Sequence, residues 1–352
     1  MPEQDVRGGR ATVALGRGLW RYGRGGAEVR AFVTGATGFI GRRLVERLCK
    51  DGAEVIALVR SERPGLPEGV RTVRGDILAL ESLQEAGAGC DRLYHLAALI
   101  TFDPRRREEL LRVNGGGTAN VLAAARRWKV ARTVVVSSAC TVGLSDSSDR
   151  VLDEDSPLRE GLAEHNPYLA SKQAAEKAAM AAAREQAVVV VNPTTVFGPG
   201  DYSLNSGTLV LKVARSWVLP VPPGGSNVVD VDDVVEGILA AGERGQSGRR
   251  YILGGANLTF AEILDTAAVA VGHRPLFIRV PGWTRAPMAA AAWMAGALGR
   301  SRFLTPQIVS DLFAFKYYSS HRAKQELAWT PRRPFRETVV RAWDFYRREG
   351  LA

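Results

Sequence analysis

The chain has 352 residues, 46% of them apolar and 24% charged, a composition that excludes a largely disordered protein and predicts one large domain with an appended lobe. The net charge is +10, but the arginines are spread along the chain without an aromatic-basic module, so we expect a small-molecule substrate and no nucleic-acid partner. The scattered cysteines Cys49, Cys90 and Cys140 lack metal-ligand spacing and exclude a disulfide framework, so a cytoplasmic protein without a metal is predicted.

Short apolar strands alternate with helical segments from residue 29 onward, after an arginine- and glycine-rich stretch, residues 1–28, that predicts a flexible tail. Strands are predicted at Val29–Thr34, Glu54–Arg60, Val70–Gly75, Arg92–Ala97, Thr133–Ser137 and Ala187–Asn192. Helices are predicted at Gly41–Lys50, Leu110–Arg127 and Tyr168–Arg184. This alternation predicts a parallel sheet with helices on both faces.

The alternation breaks down after Asn192, where residues 193–227 are rich in Pro and Gly and predict irregular structure with a helix near Thr208–Ser216. Val228–Ala241 and Tyr251–Gly255 predict a helix and a strand that rejoin the sheet. The predicted fold class is therefore α/β, a doubly wound parallel-sheet Rossmann fold of residues 29–192 and 228–255. A smaller, mostly helical substrate lobe is predicted for residues 193–227 and 256–352.

The most apolar stretch of the predicted lobe is the alanine-rich segment Pro287–Leu298. It is too short to span a bilayer, so no stable membrane insertion is expected. We predict a buried helix here, with contact at a membrane interface as the alternative. Trp283 and Trp293 are predicted to help build the lobe.

A glycine-rich turn follows the first predicted strand and opens the first helix. Gly35 permits a tight turn, Gly38 lets the backbone approach a pyrophosphate, and Gly41 allows the helix to pack against the strand. The free N–H groups of the helix N-terminus suit phosphate, whereas the alternative is a tight turn without a ligand. The residues predicted to bind the cofactor here are Gly35, Thr37, Gly38, Phe39, Ile40 and Gly41.

The end of the second strand distinguishes NAD from NADP, because a free ribose 2′-hydroxyl is bound by a carboxylate and a 2′-phosphate by a cation. Here the sequence has Arg60 and no acidic residue, so NADP(H) is favoured over NAD(H). Ser61 and Arg63 are candidates to assist Arg60. The alternative is that Arg60 is an ordinary surface arginine.

Two further strand ends carry candidate cofactor contacts. Asp76, followed by Ile77, is placed to accept a hydrogen bond from the adenine amino group, or else to cap a turn. The small residues that end the fourth strand leave room for a ribose against the backbone, whereas His95 is expected to pack within the sheet. The residues predicted here as cofactor contacts are Asp76, Ile77, Leu96, Ala97 and Ala98.

Tyr168 and Lys172 are four residues apart in a predicted helix and therefore project from one face. A phenol has an ordinary pKa of about 10, and a nearby ammonium together with an oxidised nicotinamide lowers it. The pair can therefore transfer a proton near neutral pH, and the lysine can hold the nicotinamide ribose. A Tyr and a Lys four residues apart often occur by chance, so the spacing alone is weak evidence for a catalytic pair. The position of this pair after the fifth predicted strand makes the evidence stronger.

Ser138 leaves the fifth strand at the edge where a doubly wound sheet binds ligands, and its hydroxyl can polarise a substrate oxygen. For Ser137, hydrogen bonding to turn backbone is the favoured role. Asn114 has two equal interpretations, as a residue that holds a water for proton relay or as a kink in a long helix.

The ordered set of these motifs resembles the extended short-chain dehydrogenases/reductases from about residue 30 to the C-terminus. The resemblance is carried by Thr34–Gly41, Arg60, Gly75-Asp76, His95–Ala98, Asn114, Ser137-Ser138, Tyr168–Lys172 and Asn192-Pro193. It implies that Ser138, Tyr168 and Lys172 are catalytic, with Asn114 as a fourth candidate, and that Tyr168 and Lys172 also contact the cofactor. It further implies that Pro193, Thr195 and Val196 border the nicotinamide, and that the helices containing Asn114 and Tyr168 join a homodimer.

Within this family, Val59-Arg60, Asn192–Gly200, Asn227–Asp233 and Tyr251–Thr259 are similar to the dihydroflavonol-reductase-like branch, which includes bacterial proteins called hopanoid-associated sugar epimerases. The resemblance implies reduction of ketones or aldehydes with NADPH. Ala139-Cys140 replaces the Asp-Glu of nucleotide-sugar dehydratases, and residues 225–228 lack the cation that would hold a pyrophosphate.

Three alternatives to the reductase prediction stay open. They are a nucleotide-sugar epimerase or dehydratase with tightly bound NAD, a 3β-hydroxysteroid dehydrogenase-like enzyme, and a non-catalytic dinucleotide sensor. Asp232-Asp233 is predicted to cap a helix rather than to bind a metal, because no third ligand lies nearby in the sequence.

Overall fold

The computed structural model describes residues 29–61, 65–297 and 305–352, so the predicted tail and Arg63 lie outside the described residues. The strands are Arg30–Thr34 (β1), Glu54–Val59 (β2), Arg71–Arg74 (β3), Arg92–His95 (β4), Arg132–Val136 (β5), Val188–Pro193 (β6), Thr195–Phe197 (β7), Val218–Val221 (β8), Gly225–Asp230 (β9), Arg250–Leu253 (β10), Ala256–Thr259 (β11), Leu276–Arg279 (β12) and Phe315–Lys316 (β13).

The helices alternate with the strands of the first half and dominate the last third of the chain. They are Phe39–Lys50 (α1), Arg107–Leu110 (α2), Gly117–Arg127 (α3), Leu162–His165 (α4), Pro167–Ala182 (α5), Gly207–Arg215 (α6), Val231–Arg244 (α7), Phe260–Val271 (α8), Arg285–Ala297 (α9), Pro306–Leu312 (α10), His321–Leu327 (α11) and Phe335–Arg348 (α12). A π-helical turn, Leu111–Gly116, joins α2 to α3.

Seven parallel strands form the main sheet in the order β10-β6-β5-β4-β1-β2-β3. The chain runs outward from β1 through β2 to β3, then crosses back to β4 and continues to β10. The order therefore reverses between β1 and β4, which is where doubly wound sheets bind dinucleotides. The predicted α/β fold is confirmed, including the return of a strand near Tyr251 to the sheet.

Alternating side chains on each strand bury both faces of this sheet, because successive residues of a strand point to opposite faces. In β1, Ala31 and Val33 pack on the side of α1 and α7, whereas Phe32 packs on the side of α3. The Phe32 ring meets Trp128, just after α3, edge to face with centroids 4.9 Å apart. Continuous apolar strands are thus explained by a sheet covered on both sides.

The prediction of one helix over Val228–Ala241 is wrong at its start. Residues up to Asp230 belong to β9, which pairs with β7, β11 and β13 in a second, four-stranded sheet, and α7 begins only at Val231. Asp230 caps that helix by accepting a hydrogen bond from the Asp232 N–H at 2.8 Å. Apolar β-branched residues on both sides of the boundary hide the change from strand to helix.

The predicted burial of Pro287–Leu298 is also wrong. Helix α9 covers this segment as far as Ala297, and Leu298 lies outside the described residues. The helix packs on α10 through Met288, Ala289 and Ala292, while Trp293 is 66% exposed. Trp283 is exposed as well and does not join the core of the lobe. Within the described residues, no helix is long and apolar enough to cross a bilayer.

Candidate active site

The glycine-rich turn brings α1 against the sheet at very close range. Gly35 has φ of +72°, and a Cβ there would lie 2.6 Å from the backbone nitrogen of Ala97, which follows β4. A Cβ on Gly41 would lie 2.0 Å from the carbonyl oxygen of Gly35. The turn and the packing against α1 therefore both require glycine.

The N-terminus of α1 is open to a ligand. Its N-cap residue, Gly38, is exposed and provides no side-chain cap, and the first turn has no acidic residue. Thr37, Phe39 and Ile40 surround these uncapped N–H groups. An uncapped helix N-terminus beside a glycine turn fits the pyrophosphate of a dinucleotide.

The candidate adenosine contacts lie at neighbouring strand ends. Arg60 follows β2, its side chain is exposed, and no described carboxylate pairs with it. One carboxylate oxygen of Asp76 accepts a hydrogen bond from the Leu78 N–H at 2.9 Å. That oxygen therefore caps the turn, which is the alternative given for Asp76 above. Ile77 is buried against Gly117. Leu96, Ala97 and Ala98 are partly exposed where β4 ends, beside Gly35.

His95 packs within the sheet, as predicted. Its two ring nitrogens lie 2.7 Å from Thr34 Oγ1 and 3.0 Å from Thr118 Oγ1, and the ring is buried. Burial, reinforced by the positive charge of Lys172, lowers the pKa of His95 to about 3. The imidazole is therefore neutral in the folded protein at physiological pH.

This neutral histidine predicts a loss of stability in mild acid. The unfolded chain takes up a proton below about pH 6.5 and the folded protein does not, so acid favours unfolding. Between pH 6.5 and 4.5 we expect His95 to lower the free energy of unfolding by about 2 kcal/mol. Denaturant titrations should show a shallower pH slope for His95→Gln than for wild type or for His321→Gln, which alters an exposed histidine. Equal slopes in all three would contradict a neutral, buried His95.

Ser138, Tyr168 and Lys172 come together where β5 ends and α5 begins. Asn166 caps α5 by accepting a hydrogen bond from the Leu169 N–H at 3.0 Å, and Pro167 occupies the first turn, so Tyr168 starts the helix at a fixed position. The Ser138 side chain lies beside the Tyr168 hydroxyl. Lys172 lies one turn further along, and its Nζ donates to the carbonyl of Val136 at 3.2 Å.

Lys172 is buried, whereas Ser138, Cys140 and Tyr168 are partly exposed, and this partial burial sets the electrostatics of the site. Burial raises the pKa of the Tyr168 phenol, against the opposite effect of the Ser138 side chain beside it. Burial also lowers the pKa of the Lys172 ammonium and raises that of the Cys140 thiol to about 11. Cys140 is therefore a neutral thiol. Lys172 lies four residues after Tyr168 in α5, one helical turn further along.

The turn hydrogen bond predicted for Ser137 is made by Ser138 instead. Ser138 Oγ, not Ser137 Oγ, accepts the turn hydrogen bond, from the Cys140 N–H at 3.3 Å. Ser137 Oγ is buried without a hydrogen-bond partner among the described residues. Ser137 directly follows β5, and its N–H still donates to the carbonyl of Val191 in β6 at 2.8 Å. Its unpaired hydroxyl, like the uncapped α1, fits a polar cofactor at this edge.

Asn114 is buried in the π-helical turn, and its amide is used for positioning. Its Oδ1 accepts from the Leu99 N–H at 2.7 Å, and its Nδ2 donates to Leu99 O at 3.0 Å and to Ser171 Oγ at 2.8 Å. The kinked-helix interpretation is thus observed. Asn114 ties the chain after β4 to α5, beside Tyr168.

A polar network behind Ser138 escaped the sequence analysis. Asn192 Nδ2 donates to the carbonyl of Ser138 at 3.0 Å, to Thr141 Oγ1 at 3.0 Å and to Glu176 Oε1 at 2.6 Å. Glu176 also accepts from Thr141 Oγ1 and forms a 3.4 Å ion pair with Arg250. Glu176 stands four residues after Lys172, on the helix face that Tyr168 and Lys172 share, and this spacing was the available signal.

Two further sets of predicted residues lie near β6, β7 and the start of α7: the residues predicted to border the nicotinamide, and the acidic pair Asp232-Asp233. Pro193 ends β6 and is buried, whereas Thr195 and Val196 in β7 are partly exposed. The Asp232 carboxylate binds Arg43 and Arg341, and Asp233 accepts two backbone N–H groups. Among the described residues, no cluster of His, Cys, Asp or Glu could hold a metal ion.

Two features define the class of protein. One is the order in which the strands of the main sheet pair, and the other is the meeting of Ser138, Tyr168 and Lys172 at the carboxyl-end edge of that sheet. The protein is an extended short-chain dehydrogenase/reductase, an oxidoreductase that acts on alcohol and carbonyl groups. The chain belongs to the NAD dependent epimerase/dehydratase family, whose model matches residues 31–254.

Similar proteins are found among both sequences and structures. A protein of Synechocystis sp. provisionally named dihydroflavonol 4-reductase is 34% identical over 336 residues, covering 91% of this chain and 95% of the relative. The sterol demethylase protein B of Methylococcus capsulatus is 30% identical and covers 91% and 98%. The crystal structure of gox2253 superimposes with a TM-score of 0.79 at 30% identity, covering 91% of this chain and 98% of that one.

Proposed function

We propose that the protein is an NADP(H)-dependent reductase that interconverts a hydrophobic ketone or aldehyde with its alcohol, acting as a cytoplasmic homodimer. The observation that carries the proposal is that three side chains meet at one place: Ser138 lies beside the Tyr168 hydroxyl, and Lys172 lies one helical turn after Tyr168 in α5. The three groups lie on the sheet edge that the uncapped α1 shares. A sensor would not need this set.

Each catalytic side chain has a defined task in the proposed reaction. Ser138 Oγ donates a hydrogen bond to the substrate oxygen and holds it beside Tyr168. The Tyr168 hydroxyl gives that oxygen a proton during reduction and takes it back during oxidation, and the Lys172 ammonium stabilises the phenolate in between. A nicotinamide cofactor, when bound, supplies or accepts the hydride at the substrate carbon.

The substrate is proposed to be uncharged and hydrophobic. Gly225, Ser226, Asn227 and Val228 form the start of β9 without a cation, so no positive group of this strand meets a pyrophosphate. Phe102 lies against Tyr168 with ring centroids 5.6 Å apart and offers an apolar edge to the site. The names of the two curated relatives, a dihydroflavonol reductase and a sterol-demethylating protein, support this class of substrate.

The second candidate is an epimerase that keeps NAD bound through a transient keto intermediate, and the name of the family supports it. Purified protein distinguishes the two. A reductase consumes added NADPH with a hydrophobic ketone, whereas an epimerase co-purifies with its cofactor and shows no net turnover. Absence of turnover together with retained NAD would overturn the reductase proposal.

The choice of NADP(H) predicts a specific effect of Arg60→Ala. The guanidinium is proposed to bind the 2′-phosphate, and a hydrogen bond between charged partners contributes about 1.5–3 kcal/mol. Calorimetry should therefore show NADPH affinity falling about 10- to 100-fold in the variant, with NADH affinity unchanged.

Arg71→Ala is the matched control, because Arg71 is exposed at the opposite end of the neighbouring strand β3. It should bind both cofactors like wild type. If the wild-type protein binds NADH as tightly as NADPH, Arg60 does not select the 2′-phosphate. The epimerase with bound NAD is then the favoured function.

A further inference from the structure

Strands β8 and β12 form a two-stranded parallel ribbon that has apolar side chains on both faces. Leu219 and Phe277 point inward onto a buried core formed with α6, α8 and α12. The alternate residues point outward, so Val218 lies opposite Leu276, and Pro220 lies opposite Ile278. The outward residues are exposed and wholly apolar.

Trp217 directly precedes β8 and is held in place despite being 82% exposed. Its ring meets His273 edge to face at 5.6 Å, and its carbonyl accepts from the Leu276 N–H at 2.8 Å. His273 is itself anchored to the carbonyl of Ser216 at 2.8 Å. A large aromatic side chain fixed in an exposed position is typical of a binding surface.

The sequence around the ribbon carries positive charge without acidic residues. No Asp or Glu occurs in residues 202–229, which include β8, or in residues 266–310, which include β12. The second of these stretches contains Arg274, Arg279, Arg285, Arg300 and Arg302. Arg274 and Arg285 pair with Asp265 and Asp146, whereas Arg279, at the end of β12, has no ion-pair partner among the described residues.

Exposed apolar side chains also occur in the segment that follows β12 in sequence. Trp283 is 77% exposed just before this helix, and Trp293 and Met294 are exposed on its outer side. Exposed tryptophan, aliphatic side chains and arginine in one acid-free stretch are the composition of a surface that lies in a membrane interface.

We propose that the outer face of the β8 and β12 ribbon, with Trp217 and Trp283, docks the protein on an anionic membrane surface. The tryptophans and aliphatic residues enter the headgroup region, while the arginines meet lipid phosphates. A second copy of the chain fits less well, since a symmetric contact would bring together two surfaces whose sequences share the same excess of arginine over acidic residues. The inference does not rest on the proposed activity, because binding to vesicles is measured without substrate.

Co-sedimentation of the full chain with lipid vesicles tests this surface. Wild type should bind vesicles of phosphatidylcholine and phosphatidylglycerol and bind pure phosphatidylcholine much more weakly, with the difference lost at high salt. The triple variant Trp217→Ser, Leu276→Ser, Ile278→Ser should reduce binding to the anionic vesicles about tenfold or more. Arg279→Glu should weaken binding to anionic vesicles only.

The double variant Leu80→Ser, Val340→Ser is the matched control, because it alters exposed apolar residues outside the ribbon. It should bind vesicles like wild type, and circular dichroism should show all variants folded. Unchanged vesicle binding in the folded triple variant would overturn the proposal. A wild-type protein that binds neither vesicle type would also overturn it. So would a wild-type dimer that dissociates in the triple variant, since the ribbon would then join two copies of the chain.

Discussion

Tyr168→Phe is expected to lower kcat/KM for carbonyl reduction by about 10³-fold while leaving cofactor affinity within a few-fold of wild type. The substitution removes only the hydroxyl that lies beside Ser138. The ring stays and keeps its packing against Phe102, so the site retains its shape. Steady-state rates with NADPH and a hydrophobic ketone, together with calorimetric cofactor binding, measure the two effects separately.

The control is Tyr202→Phe, which removes an exposed hydroxyl that bonds to Glu349 on the surface. It should leave both rate and affinity unchanged. A Tyr168→Phe enzyme that keeps more than about a tenth of the wild-type rate would show that another group, or water, donates the proton.

The course of the main sheet could be predicted because its physical signal is local. Each strand is a short apolar run, and residues such as Phe32 alternate across the sheet with Ala31 and Val33 in a way that only a two-sided sheet accommodates. The glycine turn is also signalled locally, since Gly35 has φ of +72° and a Cβ on Gly41 would meet the Gly35 carbonyl oxygen within the same loop, although the contact of Gly35 with Ala97 is distant in sequence. These features therefore follow from composition and spacing.

The misplaced elements are those that depend on distant partners. Val228 belongs to a strand because β7, β11 and β13 offer it partners, and none of them is adjacent in sequence. The apolar segment before Leu298 was predicted as buried because hydrophobicity alone does not report whether a second layer covers a helix. Only α10 packs against it, and its outer side stays exposed.

The candidate catalytic residues could be identified from the sequence, but not the groups that hold them. Tyr168 and Lys172 share a recognisable spacing, whereas Asn192 supports Ser138 only through the pairing of β5 with β6. Ser137 and Ser138 are adjacent and alike in sequence, so the pleat of β5 decides which one reaches the turn. Backbone geometry, not residue type, assigns their roles.

Lys172→Met is expected to lower the rate of alcohol oxidation at pH 7 by about 10- to 10³-fold, and raising the pH should recover part of that loss. Oxidation requires the Tyr168 phenolate, whose pKa burial already raises. Without the ammonium one turn away this pKa rises further, by about 1–3 units, so the variant needs a higher pH to form the same fraction of phenolate. Methionine keeps the length and apolar stem of a side chain that is 5% exposed.

Lys177→Met is the matched control, because Lys177 is exposed on the same helix and should leave the pH profile unchanged. The profile separates an electrostatic role from a structural one. Loss of the charge moves the rise of kcat/KM with pH to higher pH, whereas a distorted site lowers the rate by the same factor at every pH. If Lys172→Met lowers kcat/KM by the same factor at every pH, Lys172 has no role in proton transfer. Its role would then be structural, through the hydrogen bond to the carbonyl of Val136 at the end of β5.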